Sequence, residues 1–372
     1  MIKKNIENIL GKTALVCDQM ISFGGAEREL LSILKLLPNA DIFTIVFNRK
    51  AFQTITNTVH VSFVQKFFPR KLSRHLKILT PIAYESFDLS TYDTIISISA
   101  GPAKGIIPGV NAKHIAMVMT PPRSLWDMEL NVRASPFRKI YRSISMVLNN
   151  YMRMWDISIS KRVDHWTSNS DYIATKIEKR YGKQATTINP AVSKEAFLRD
   201  LEGDMGDEFF LVVSRLFDHK HVDVAIRACI EANKKLIIIG EGPDIRYLKK
   251  VANGNPNIKF LGFLKEDSEV RKYYYNAQAL IFCGVEDFGL VPVEAMAQGT
   301  PVIALREGGV LETVVEGTTG EFFNSEKELV NILKKFVKSS YNASKVINQA
   351  KKFTEEIFLE KLEKYLRKVY EK

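Results

Sequence analysis

The sequence is poor in cysteine and has no long apolar run. Cys17, Cys229 and Cys283 are its three thiols in 372 residues. They stand far apart in apolar surroundings, which excludes a disulfide framework and a cysteine-rich metal centre and points to buried, reduced thiols. No stretch approaches the roughly 18–20 apolar residues that cross a bilayer as a helix. The opening MIKKNIENILGK has lysines but a broken apolar stretch and no cleavage-site pattern, so no secretory leader is expected and a cytoplasmic location is. Low-complexity tracts and repeats of solenoid period are absent. The dinucleotide fingerprint GxGxxG is missing; zinc-finger spacing and basic-aromatic ribonucleoprotein patterns are missing too, and those two absences argue against a nucleic-acid partner. The six histidines form no convincing ligand pair with an acid, and the expected metal content is none.

Positive charge is in surplus. Lys and Arg number 53 against 42 Asp and Glu, a formal net charge of +11. Such a surplus suits phosphorylated small molecules or anionic membrane headgroups. With 46% hydrophobic and 26% charged residues the chain should fold as a globular protein, and its length suggests about two domains.

Short β-branched runs alternate with helix-period segments nearly throughout. The first half offers TALVCD (13–18), DIFTIVF (41–47), HVSFV (60–64), DTIISIS (93–99), HIAMVMT (114–120), HWTSNS (165–170) and TTINP (186–190). The second half offers FFLVVSR (209–215), KLIIIG (235–240), IKFLG (258–262), ALIFCG (279–284) and PVIAL (301–305). Continuous apolar strands with helices between them predict parallel sheets covered on both faces, in doubly wound α/β domains. The pattern breaks at FLRDLEGDMGDE, which predicts a linker over 197–208. It separates an N-terminal Rossmann-like domain (1–196) from a C-terminal one (209–352). A terminal amphipathic helix (353–372) carries Phe353, Ile357, Phe358, Leu362, Tyr365, Leu366 and Val369 at helical spacing.

Ligands of open parallel sheets bind at the carboxyl ends of the strands, so residues just after strands are the candidates. Gly24 and Gly25 follow the first strand and open a helix, where backbone N–H groups and the helix dipole favour a phosphate; a simple tight turn would read the same way. Arg215 and Lys220 flank the loop after the strand at 209–215, a planar fork and a point charge suited to a diphosphate, or else a solvated basic loop. In VEDFGLVPVEAMAQG, Pro292 suits a first helical turn and Gly299 the position past the end, which predicts a helix over about 292–298. Glu286 falls on the loop before it and Glu294 in its first turn, where an exposed loop acid and a helix-start acid favoured by the dipole would read the same way. Two carboxylates around a helix start can grip hydroxyls at both ends of a diphosphate, the layout of a sugar nucleotide.

At this point the sequence resembles the retaining glycosyltransferase family 4, of GT-B fold, with its two domains facing a cleft and a C-terminal helix that can cross back to the first domain. The resemblance rests on Arg215 and Lys220 in SRLFDHK, GEGP at 240–243, FLGF at 260–263, the E-x7-E of Glu286 and Glu294, PVIA at 301–304 and GGVLETV at 308–314. The first half adds GGAERE, TPPRSLWD and NSDYIATKIEKRYG. Each motif is weak alone; their order and spacing over nearly the whole chain are specific.

The resemblance implies that Gly24 and Gly25 line the donor phosphate site and that Arg215 and Lys220 neutralise the leaving diphosphate. It implies that Glu294 holds the ribose hydroxyls and Glu286 the transferred sugar. The backbone of Phe288, Gly289 and Leu290 would contact sugar and phosphate, and Gly262 and Phe263 would border the base. The implied chemistry is metal-independent transfer with retention of configuration, from a nucleotide-sugar donor to a glycan or lipid-linked glycan, without a cofactor. EDFGLVPVEAM followed by REGGVLETV is most like members that use GDP-mannose; UDP- and ADP-sugars stay open.

Arg123, Trp126 and Asp127 are candidate acceptor-side residues, with loop packing as the alternative. Related sequences often have histidine where this one has Met119, and methionine cannot donate a hydrogen bond to a sugar hydroxyl. That departure keeps a weakly catalytic sugar-nucleotide-binding subunit as the rival reading. An epimerase is disfavoured by the E-x7-E pattern, and a phosphorylase by the lack of a pyridoxal phosphate lysine motif. The segments 64–79 and 135–155 mix bulky apolar and basic residues, as a peripheral contact with an anionic membrane would need, and as sheet-packing helices also do.

Overall fold

Strands that are apolar along their whole length must be covered on both faces, and parallel strands need crossovers, which the intervening helices supply. The computed structural model describes residues 5–21, 24–67, 77–127, 138–199, 206 and 208–371. Much of the predicted linker, the middle of 64–79 and the start of 135–155 lie outside these residues. The chain divides into two compact units, Met1–Asn189 with Phe358–Lys372, and Pro190–Ile357.

The first unit holds seven parallel strands: β1 (Thr13–Cys17), β2 (Asp41–Thr44), β3 (Val59–Val61), β4 (Thr94–Ser99), β5 (Lys113–Val118), β6 (His165–Ser168) and β7 (Thr186–Thr187). Their order is β3-β2-β1-β4-β5-β6-β7. The second holds β8 (Phe210–Val213), β9 (Leu236–Ile239), β10 (Ile258–Gly262), β11 (Leu280–Phe282), β12 (Val302–Leu305) and β13 (Gly320–Phe323). Their order is β10-β9-β8-β11-β12-β13, also parallel throughout. Both orders reverse direction once, between β1 and β4 and between β8 and β11. Each unit is therefore the doubly wound α/β fold expected from the alternation.

Alternation along each strand feeds two cores. On β11, Ile281 joins one cluster with Ile226, Cys229 and Ile238, while Leu280 and Phe282 join the opposite one with Leu211, Val293 and Met296. Every strand expected from the sequence is present. β13 is additional; Gly-Glu-Phe-Phe is short and half polar, and only its register beside β12 makes it a strand. The helix after β11 spans Leu290–Ala297, starting two residues earlier than its proline suggested. Gly289 caps it at φ 93°, a conformation that costs glycine nothing.

The units change at Asn189 and Pro190, not in the predicted linker at 197–208. Val192 bridges to Thr354, Ala196 is buried against the second core, and the Gln298 amide donates to the carbonyls of Ala196 and Leu198. The terminal helix Glu355–Tyr370 leaves the second unit at Phe358 and packs on the first, as the sequence suggested. Phe358, Leu362, Leu366 and Val369 are its buried stripe. Lys113 Nζ donates to the Val369 carbonyl at 2.9 Å. Among the described residues no helix is long and apolar enough to cross a membrane.

One buried group works against the fold. Glu29 lies on the inner side of the helix Gly25–Leu36, its Oε2 without a hydrogen-bond partner, and burial pushes its carboxyl up to about 8. The unfolded chain releases that proton near pH 4.3, so between about 4.3 and 8 the folded state holds the extra proton and stability falls as pH rises. Glu29→Gln should stabilise the protein by about 1–3 kcal/mol at pH 8 and little at pH 4. Urea midpoints of both proteins across that range test this; parallel pH slopes would refute it.

Candidate active site

The reversal of strand order is where adjacent loops part and leave a crevice at the carboxyl end of a sheet. In the second unit the loop after β8 carries Arg215 and Lys220, and the loop after β11 carries Glu286. The structure brings the last two together: Lys220 and Glu286 form an ion pair, with side chains 10% and 25% exposed. Arg215 is exposed and lies over the Phe217 ring, 5.7 Å from its centroid.

The Glu286 loop is fixed from behind by the GGVLETV segment. Gly309 N donates to the Glu286 carbonyl at 2.9 Å. A Cβ on Gly309 would fall 2.3 Å from the Asp287 carbonyl oxygen, so only glycine permits this approach. Phe288 buries its ring edge-on to Phe353 at 5.3 Å, leaving its backbone for the helix start at Gly289 and Leu290. Glu294 follows one turn into the helix, half-buried, and accepts a hydrogen bond from Tyr274 Oη at 3.1 Å. Beyond β10, Gly262 accepts from Gly240 N at 2.8 Å, and Phe263 presents a ring that is 65% exposed.

The first unit has its own crevice at the β1/β4 reversal, a cavity of about 420 Å³. That volume suits a small organic ligand. Asp18, just past β1, lines it with residues 100–102 past β4 and 122–125 past β5. The Asp18 carboxylate accepts from Ala100 N at 2.8 Å and Ala103 N at 3.0 Å. Burial outweighs these bonds and holds its pKa above the ordinary carboxylate value. Tyr84, Met152, Trp155 and Asp156 form the helical wall. Asp156 Oδ1 binds Lys104 Nζ at 2.6 Å in a pair almost wholly buried, and its Oδ2 accepts from Trp126 Nε1 at 2.8 Å and Tyr181 Oη at 2.7 Å.

The first-domain candidates separate accordingly. Arg123 lines the cavity. Trp126 is committed to Asp156, and Asp127 to ion pairs with Lys176 and Arg180, so these two hold the scaffold. Gly24 caps its helix with extended backbone, and the Glu27 carboxylate lies beside it, where a Cβ on Gly24 would fall 3.0 Å from Glu27 Oε2. Met119 is half-buried just past β5, its N–H bonded to the Ser99 carbonyl at 2.8 Å. Asp18, Lys104 and Asp156 were not singled out in the sequence. Asp18 carried the signal, a polar residue directly after a strand; the other two sit 52 residues apart with nothing local to pair them.

Residues 193–353 match the family model described as glycosyl transferases group 1. The second unit carries a glycosyl transferases group 1 domain. An uncharacterized glycosyltransferase of Methanocaldococcus jannaschii is 31% identical over 219 residues, 55% of this chain and 60% of that one. A GDP-mannose-dependent alpha-(1-6)-phosphatidylinositol monomannoside mannosyltransferase of Mycolicibacterium smegmatis is 29% identical over 188 residues, 44% of this chain and 49% of that one. Other matches are named as an alpha-monoglucosyldiacylglycerol synthase and a sulfoquinovosyl transferase. The matches span 60% or less of the length of these curated relatives. Anabaena HepE in complex with UDP superposes with a TM-score of 0.68 at 17% identity, over 96% of this chain and 100% of that one. That likeness extends over both units and shows the fold, two Rossmann-like parallel-sheet units of the GT-B type. The group 1 domain contains Arg215, Lys220, Glu286 and Glu294.

The buried pair in the first unit yields a stability test. Asp156→Asn leaves Lys104 without its counter-charge and should cost about 3–5 kcal/mol. Replacing both by Lys104→Met and Asp156→Leu should recover only the part due to the unpaired charge, because Trp126 Nε1 and Tyr181 Oη then lose their acceptor. Urea unfolding measures both, and an Asp156→Asn protein as stable as wild type would contradict the arrangement.

Proposed function

We propose that this protein is a retaining glycosyltransferase that moves a hexose from a nucleoside-diphosphate sugar to a hydroxyl of a glycan or lipid-linked glycan. The observation that carries the reading is the meeting of Lys220 with Glu286 at the β8/β11 reversal, beside the helix start at Leu290 and one turn from Glu294. In the structure each neutralises the other. An entering diphosphate takes over Lys220, joined by Arg215, and frees Glu286 to accept hydrogen bonds from the sugar hydroxyls. Glu294 then accepts from the ribose, and Phe263 offers a flat face to the base. Mannose from GDP-mannose is the favoured donor, supported by the sequence pattern and by the mycobacterial relative's name. A UDP-sugar is the alternative, supported by the UDP complex among the structural neighbours.

In the reaction the bond from the anomeric carbon to the donor phosphate breaks, and the acceptor oxygen bonds to that carbon on the same face. The acceptor proton passes to the departing phosphate oxygen. Lys220, Arg215 and the N–H groups at the helix start are placed to stabilise the charge that builds there, a role fixed electrostatics fills without a nucleophile or a metal. The acceptor is assigned to the first-unit cavity, where Asp18 and Arg123 offer hydrogen bonds and Trp155 an aromatic face.

A ligand that binds only the folded state raises the melting temperature. GDP or UDP, with their sugars, should therefore raise it in wild type, and Glu294→Ala should lose that response. Glu286→Gln should keep nucleotide binding and lose about 10²–10³-fold in transfer rate. If no nucleotide shifts wild type at millimolar concentration, the donor reading fails. If nucleotides bind but neither transfer nor slow donor hydrolysis occurs, the protein is the binding subunit instead.

A further inference from the structure

The helix Arg138–Ser160 turns Met152, Trp155 and Ile159 inward; Met152 and Trp155 wall the cavity, and Trp155 packs tightly against Gly105. Its other side is unusual for a surface. Every exposed position from 146 to 160 is uncharged, and five are large: Met146, Val147, Tyr151, Met154 and Ile157. Val147 is 75% and Met154 65% exposed, and 147, 151 and 154 follow helical spacing along one face. Single exposed apolar residues need no explanation, but a contiguous face marks an interaction surface. The neighbouring helix Thr80–Glu85 repeats the arrangement: Thr80 and Tyr84 line the cavity, while Ile78, just before it, and Ile82 are each 58% exposed.

Charge decides what would cover this face. Arg138, Lys139 and Arg142 precede the apolar stretch in sequence and Lys161 follows it, while the next residue, Arg162, is paired with Glu85 of the neighbouring helix. The one acid between residues 138 and 162 is Asp156, buried against Lys104. A second copy of this chain, itself at +11, would bring like charges together at such a face. An anionic bilayer satisfies both features, taking apolar side chains at the acyl boundary and cations at the headgroups.

We propose that the outer face of the Arg138–Ser160 helix rests on an anionic lipid surface, so that the cavity behind it receives an acceptor whose lipid end stays in that surface. The acceptor clause rests on the proposed transferase reading; the docking itself does not. The helix lies on the bilayer and does not enter it, because its inner face is committed to the protein core.

The test is sedimentation of the full chain with vesicles of phosphatidylcholine alone or mixed equally with phosphatidylglycerol, without donor or acceptor. Wild type should bind the mixed vesicles, less so in high salt, and bind phosphatidylcholine weakly. Val147→Glu with Met154→Glu, both at exposed positions, should lower that binding about tenfold or more, while Leu311→Glu in the second unit should not. Equal binding by the double variant, or none by wild type, overturns the proposal. So does self-association of wild type that the double variant abolishes, which would assign the face to a second copy. Nucleotide-induced thermal shifts on the same samples keep the two readings apart. Absent vesicle binding with an intact nucleotide response refutes only the docking. Vesicle binding without a nucleotide response refutes only the donor site.

Discussion

Everything described here depends on the connection rule of parallel sheets. Neighbouring parallel strands can be joined only through a crossover, so all strands of one sheet end at the same edge. Where the order reverses, the crossovers on either side go to opposite faces and the loops part. Both units reverse once, at β1/β4 and at β8/β11. The first reversal holds Asp18 and the cavity, and the second holds Lys220 and Glu286. In both places the backbone topology opens the space, and the side chains after the strands supply the chemistry.

A second theme is that charges near these openings are partnered within the protein. Lys220 pairs with Glu286, Lys104 with Asp156, and Glu27 turns back onto the helix start at Gly24. Removing an unpaired charge from water is costly, and internal partners offset that cost before any ligand arrives. For the partly exposed Lys220–Glu286 pair, the proposed binding would be an exchange of partners, favoured only by a ligand with an anionic centre and hydroxyls beside it. The Lys104–Asp156 pair is nearly solvent-free and also holds Trp126 and Tyr181, which suits it to shaping a wall. Burial therefore separates two ion pairs that look alike as residue types.

The sequence alone determined the α/β class, the strands up to β12, the two-unit organisation and the amphipathic terminal helix, whose place on the first unit only the structure fixed. These follow from local periodicity and from apolar runs too continuous to face water. It also marked Glu286, Glu294, Arg215 and Lys220, because position after a strand and chemical type are both legible in one dimension. Tertiary structure decided the rest. It placed the unit change at Pro190, since Val192, Ala196 and Phe197 pack into a core formed almost wholly by residues after 208. It turned Trp126 and Asp127 into scaffold and put Asp18 in the cavity, because contacts such as Lys104 to Asp156 join positions that no local pattern relates. It also left one face of the Arg138–Ser160 helix bare, which a stripe of apolar residues cannot reveal until the other side is seen to be the one that packs.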